Sequence, residues 1–306
     1  MLLSFALQKA HCVLDYAYVT SSRVPTLEYF AAVAIAFLMR LGVFHIRRAL
    51  HASKHYGGQW RFTSNLWDMH IGAFSYGLVA CVWSVYLLAT NASAYAADPV
   101  HAHDDRAHLL FFFTAAYFLA DAINVFDAHT ALDSTDALEE QMEIPLLTHH
   151  TIFGLGAFLF RADPAMGTFI PLLAMSCEGA EIFQHSWWAV QIARPTPGDT
   201  PEQSAAFRAT QARVIRALHS TYSMFWLVFR MINSLVIAGL LVRFGSQMSC
   251  AHGTILGLAA FFFCGLNFFW FFGGPDEMWK AVAHMCRLRA NPPEEAWKAR
   301  SETYYN

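Results

Sequence analysis

Two adjacent histidines, His149 and His150, sit about one and a half turns into an apolar stretch, IPLLTHHTIFGLGAFLF, that runs from Ile144 to Phe160. An imidazole titrates near neutral pH and can hold or pass on a proton. Inside a membrane, an ionisable side chain costs several kcal/mol unless it faces protein or water, so two in a row mark a functional position. His70, Asp121, Glu178, Glu181, His185, Arg230 and Asn267 lie in other apolar stretches of the same chain. Three chemistries suit such a set. Imidazole and carboxylate bind iron or zinc. A histidine with a carboxylate partner serves acyl transfer as general base or acyl carrier. Chains of Asp, Glu and His relay protons in transport. Membrane di-iron oxidation needs several dense histidine clusters; His51-Ala52-Ser53-Lys54-His55 has one such spacing, but no H-x-x-H-H follows, so no metal is expected. Transport calls for paired broken helices, which the sequence does not announce.

The elements that carry these residues are membrane spans. Of 306 residues, 56% are hydrophobic and only 14% charged, against about 25% charged in a soluble domain. Apolar runs near the roughly 20 residues needed to cross a bilayer recur along the chain. They predict an all-helical polytopic membrane protein with seven spans, at about 27–44, 65–88, 108–126, 144–160, 167–190, 221–242 and 254–272. Met1 to Val19, interrupted by Lys9, His11 and Asp15, reads as an interfacial helix. The expected organisation is an N-terminal segment over 1–26, a first span with its basic loop over 27–58, a membrane domain over 59–272 and a charged tail over 273–306. A net charge of -3 supplies no basic field for nucleic acid. The six cysteines form no C-x-x-C pair and read as unpaired thiols, neither a disulfide framework nor a zinc site.

With seven spans and the N-terminus outside, thirteen Lys and Arg fall on the inner side and five on the outer, which favours N-out and C-in. Those directions bring His70, Asp121, His149, His150, His185, Arg230 and Asn267 to one level, about 7 to 14 Å from the inner surface. Glu178, Glu181 and His185 stand at i, i+3 and i+7 and form one stripe, and Tyr117, Asp121 and Asn124 form another. Arg230 is the deep cation, so Asp121, Glu181 or Glu178 should pair with it. Adjacent helical residues point about 100° apart, so one of His149 and His150 faces the interior while the other packs against a neighbour. Trp187, Trp188, Trp226 and Trp270 read as anchors and core, as do Cys177 and Cys264. Asn91-Ala92-Ser93 is a glycosylation sequon close to the end of the second span.

The order of these features resembles the TLC domain of ceramide synthases and translocating-chain-associated membrane proteins. Gln59-Trp60-Arg61 resembles its opening, and Tyr117-Phe118-Leu119-Ala120-Asp121 its G-Y-F-x-x-D segment. Leu147-Thr148-His149-His150 is similar to its V-H-H box, Glu178 to Phe183 to its acidic segment, Phe229-Arg230 to its F-x-x-R region and Leu266 to Trp270 to its closing L-Q-x-x-W. Phe153 stands where ceramide synthases resemble H-H-x-x-T, Cys177 replaces a histidine, and Glu178 and Glu181 replace two aspartates. The resemblance implies a six-helix barrel with a lipid-accommodating interior and a location in the endoplasmic reticulum; the mitochondrial inner membrane stays open on a separate ground, since polytopic proteins there need no obvious presequence.

The expected function is lipid or acyl-chain binding in an intramembrane cavity, with acyl transfer or lipid homeostasis as its purpose and acyl-CoA as the co-substrate. His149 or His150 is the base or acyl carrier, Glu181 or Asp121 the orienting carboxylate, and Arg230 the anion clamp. His70, Glu178, His185 and Asn267 complete the lipid-binding lining. The alternative is a non-enzymatic accessory subunit that keeps a bound lipid within a larger membrane protein complex.

Overall fold

The computed structural model describes residues 2–23, 26–52, 64–131, 150–158, 160, 166–193, 195–196, 198–273 and 278–286. Over these residues the protein is helical, with no strand. The helices are α1 (Leu2–Arg23), α2 (Thr26–His51), α3 (Ser64–Thr90), α4 (Ala92–Ala97), α5 (Arg106–Ala131), α6 (Phe169–Ser176), α7 (Gly179–Ile192), α8 (Pro201–Phe225), α9 (Asn233–Phe244), α10 (Cys250–Gly273) and α11 (Met278–Met285). Residues 150–158 form a further helical stretch. His149, Gln59-Trp60-Arg61, the acidic segment beyond residue 131 and the end of the tail lie outside the described residues.

Among the described residues, five helices are long and apolar enough to cross a membrane: Leu27–Leu50, His70–Thr90, Arg106–Ile123, an apolar part of Pro201–Gln247, and Cys250–Gly273. This is an integral membrane protein. Its side chains agree with that solvent: Phe30, Val33 and Phe37 along α2, and Leu258, Phe261, Phe262 and Phe269 along α10, are all exposed. A continuous apolar surface of this kind would drive aggregation in water. The inward faces carry small and aromatic residues, including Tyr76, Ala80, Leu110, Phe111, Tyr117 and Phe118, which make one core between α3 and α5. A second core joins Tyr222 and Trp226 to Phe271 and Met278.

Two expectations need correction. The fifth span is not one helix, because the chain turns at Cys177 and Glu178 between α6 and α7. The turn packs closely on α3. A Cβ on Gly179 would meet Cys81 Sγ at 2.7 Å, and one on Gly77 would meet the Glu178 carbonyl at 2.8 Å, so glycine on each side allows the backbones to approach. The sixth span is also longer than its apolar part. It begins at a capping box, in which the Gln203 N–H donates to Thr200 Oγ1, the Thr200 N–H donates to Gln203 Oε1, and Pro201 occupies the first turn. From there it runs without a break through a π-helical segment, Trp226–Ile232, into α9. The tail opens as α11, whose buried Met278 and Ala281 dock it against α8 and the end of α10. At the other terminus, α1 lies along α10. Tyr16 meets the His252 ring edge-on at 5.0 Å, Lys9 Nζ approaches Cys250 Sγ at 3.6 Å, and the Cys12 and Cys250 thiols are hydrogen-bonded.

Candidate functional site

The polar residues of α3, α5, α7, the π segment and α10 meet in a belt enclosed by apolar side chains. The Arg230 guanidinium is its centre. It bonds to the Glu181 carboxylate, lies 3.7 Å from Glu178 Oε2, and sits 4.5 Å from the Trp226 ring. A cation in an apolar interior requires a compensating charge close by, and two carboxylates one turn apart supply it. Both local irregularities serve this arrangement. The turn at Cys177 and Glu178 places Glu178 at the head of α7, one turn before Glu181. The π segment sets Arg230 opposite them, and such segments recur at functional sites because they re-aim side chains. The Arg230 carbonyl accepts a hydrogen bond from Ser234 Oγ, whose own oxygen accepts from Asn267 Nδ2 at 3.0 Å. Trp226 Nε1 donates to the Asn267 carbonyl at 3.4 Å, so α10 is tied to the same belt.

The chain of contacts continues through histidine. His185 Nε2 stands 3.2 Å from Glu181 Oε2, one turn along α7, and its Nδ1 lies 2.7 Å from His70 Nδ1. The His70 ring stacks on Trp188, with centroids 3.6 Å apart and planes within 13°. Arg230, Glu181, His185 and His70 therefore form one connected line across three elements.

A second group lies beside it. His150 Nδ1 stands 2.9 Å from Asp121 Oδ2, with both residues buried. The approach is within ion-pair distance but is not aligned as a hydrogen bond. Phe118 lies against the His150 ring at 5.2 Å. Tyr117 and Tyr76 stack at 3.9 Å with planes 4° apart, and Tyr76 donates to Thr114. His150 is near enough to Glu178 to interact with it electrostatically, so the two groups belong to one belt. Within it, Asp121 Oδ1, Arg230 Nε and Asn267 Oδ1 are buried and have no hydrogen-bond partner among the described residues. Buried polar atoms are usually paired.

The structure thus brings together His70, Asp121, His150, Glu178, Glu181, His185, Arg230 and Asn267. His149 lies outside the described residues. Arg230 pairs with Glu178 and Glu181, while Asp121 faces His150. Sequence reasoning missed Ser234, Tyr76 and Thr114, whose small or aromatic side chains carry no signal beyond helical spacing, and it assigned no contact between Trp188 and His70. The described pocket lies elsewhere: about 220 Å³ lined by Val100, His101, Met166, Met248, His252 and Leu256 among others, at the start of α10. Asn91, the sequon residue, has its amide engaged with Asp104 and with the Leu87 carbonyl.

No family model, curated protein or solved structure matches the chain.

Proposed function

We propose that this protein is a TLC-type lipid-handling membrane protein with seven spans, N-out and C-in, that accommodates an acyl chain between its helices and performs acyl transfer at the belt. The observation that carries this reading is the buried Asp121–His150 pair, a carboxylate turned toward one ring nitrogen of a histidine within an apolar bundle. With Nδ1 facing Asp121, Nε2 is the nitrogen through which the imidazole acts. It takes the proton of an acceptor hydroxyl or amine as that group attacks the thioester carbonyl of acyl-CoA; the thiol leaves with the proton, and an ester or amide remains. Asp121 orients the ring and supports the imidazolium that forms. Asp121 Oδ1, Arg230 Nε and Asn267 Oδ1, which have no hydrogen-bond partner among the described residues, suit the polar end of a lipid. The residues that carry the TLC resemblance support the same reading, because those on α5, α7, the π segment and α10 meet at this level together with His150.

Arg230 does not act as an anion clamp in this scheme, since Glu178 and Glu181 already neutralise it. That neutralisation favours a second reading, an accessory subunit in which the belt only holds the helices together around a bound lipid. Purification of the full chain in mild detergent separates the two. Labelled acyl-CoA is added to the purified protein with a native lipid extract, and co-purifying lipids and proteins are identified by mass spectrometry. Transfer of label to a lipid, lost in Asp121→Asn and His150→Gln while the bound lipid is retained, supports acyl transfer. Stoichiometric partner proteins with no transfer support the accessory reading. A purified chain that carries no lipid refutes both.

A further inference from the structure

Far from the belt, the loop that leads into α5 gathers His103, Asp105 and His108, whose ligand-capable atoms all lie within 4.8 Å of one another. The two histidines meet through Nε2 at 2.7 Å, with their ring planes 53° apart, so they approach edge to edge and do not stack. Asp105 Oδ1 stands 3.4 Å from His103 Nε2. For a tetrahedral ion with ligands at about 2.0 to 2.1 Å, neighbouring ligand atoms are about 3.3 Å apart. The Asp105–His103 edge already has that length, and the His103–His108 edge reaches it if the rings part by about 0.6 Å.

His103 is held for this role by a second, independent arrangement. Its Nδ1 lies 3.1 Å from the Met166 carbonyl, which can only accept, so Nδ1 carries the proton and Nε2 presents its lone pair toward His108 and Asp105. The carbonyl is itself fixed. The Thr168 N–H donates to the Ala102 carbonyl at 3.0 Å, Tyr95 and Thr168 share a hydrogen bond at 2.9 Å, and Gly167 packs so closely on the Val100 carbonyl that no side chain fits there. The other carboxylates of the loop are engaged: Asp104 with Arg106 and Asn91, Asp98 with His101. Asp105 remains to face the histidine pair.

We propose that His103, Asp105 and His108 form a binding site for a divalent transition metal of the zinc class, with water as the fourth ligand. Two imidazole nitrogens and one carboxylate are a donor set for zinc, whereas calcium and magnesium prefer oxygen ligands alone. When the ion enters, His108 gives up the Nε2 proton to water and takes one up on Nδ1, so it stays a neutral imidazole, and both Nε2 atoms turn their lone pairs to the metal. Bound metal would clamp the loop over 98–105, the start of α5 and, through Met166, the segment that precedes α6. The proposal does not depend on the acyl-transfer reading.

The test titrates Zn²⁺ into chelator-stripped full-length protein in detergent, followed by calorimetry and by thermal melting. One equivalent should bind per chain and raise the melting temperature, while Mg²⁺ should do neither. His103→Gln and His108→Gln should each weaken binding at least about tenfold, whereas His101→Gln and His252→Gln, at the neighbouring pocket, should leave it unchanged. Asp105→Ala provides a variant that folds normally, since its side chain is 97% exposed; it too should weaken binding. Zinc affinity in Asp105→Ala and in the His103→Gln/His108→Gln double variant equal to that of the unaltered chain overturns the assignment. So does the absence of zinc binding by the unaltered chain, which would leave the pair as a plain imidazole hydrogen bond.

Discussion

About 20 to 30 Å apart along α3 and α5, the protein uses the same three residue types in two ways. In the belt, Arg230, two glutamates, Asp121 and three histidines are enclosed by apolar side chains. In the collar over 91–108, Asp98, His101, Asp105 and Arg106 lie toward water while Asp104 is buried among them, and the Arg106 side chain is 46% exposed against 6% for Arg230. The pairs look alike on paper, but their consequences differ. A buried ion pair gains little over an apolar replacement, yet the loss of one partner strands a charge in a medium that cannot solvate it. An exposed pair is screened by water, and its loss leaves little behind. The belt is therefore indispensable as a set, whereas the exposed side chains of the collar are under weaker constraint.

The largest expected effect is at Arg230. Arg230→Ala should destabilise the protein by about 3 kcal/mol or more, read as a lower melting temperature in detergent, because Glu178 and Glu181 are left buried without their cation. Arg230→Met combined with Glu178→Gln and Glu181→Gln should recover most of that loss. If the triple variant is no better than Arg230→Ala, charge compensation is not what holds the belt together.

Next comes the dyad. Asp121→Asn and His150→Gln should not be additive in stability, with a coupling of about 1 kcal/mol or more in a double-mutant cycle. Additive losses would mean that the two side chains are neighbours without being partners. At the collar, Arg106→Ala should cost about 1 kcal/mol or less, since the guanidinium is half exposed and Asn91 still donates to Asp104. A loss as large as that of Arg230→Ala would erase the distinction between the two regions.

The smallest effect is a pH dependence at Asp98. The His101 N–H, followed by that of Val100, donates to its carboxylate and holds it below the ordinary aspartate range. Its folded value is the lower one, so its contribution is complete above the unfolded value of about 3.9 and is lost as pH falls through the folded value. Asp98→Asn should flatten the acid limb of the melting temperature between about pH 5 and pH 2. An unchanged slope would show that these backbone bonds do not favour the ionised form.

The sequence by itself determined the solvent and the class. Apolar runs of bilayer length can be satisfied only by helices, and five of the seven predicted spans appear as membrane-length helices. It also picked out the members of the belt, because an ionisable residue in an apolar run stands out whatever surrounds it. His70, Asp121, His150, Glu181, His185 and Arg230 were all legible in this way. The partners were not. Three carboxylates were available to Arg230, and the choice of Glu181 and Glu178 over Asp121 depends on a helix break at Cys177 and a π segment at Trp226, neither of which leaves a mark on hydrophobic periodicity. The break follows from the close approach of Gly77 and Gly179 to another helix, a contact between residues about 100 positions apart. The collar was hidden for the same reason: His103 finds the Met166 carbonyl 63 residues away. Composition and periodicity report what each residue requires of its solvent, whereas pairing depends on which backbones come close, and only the tertiary packing sets that.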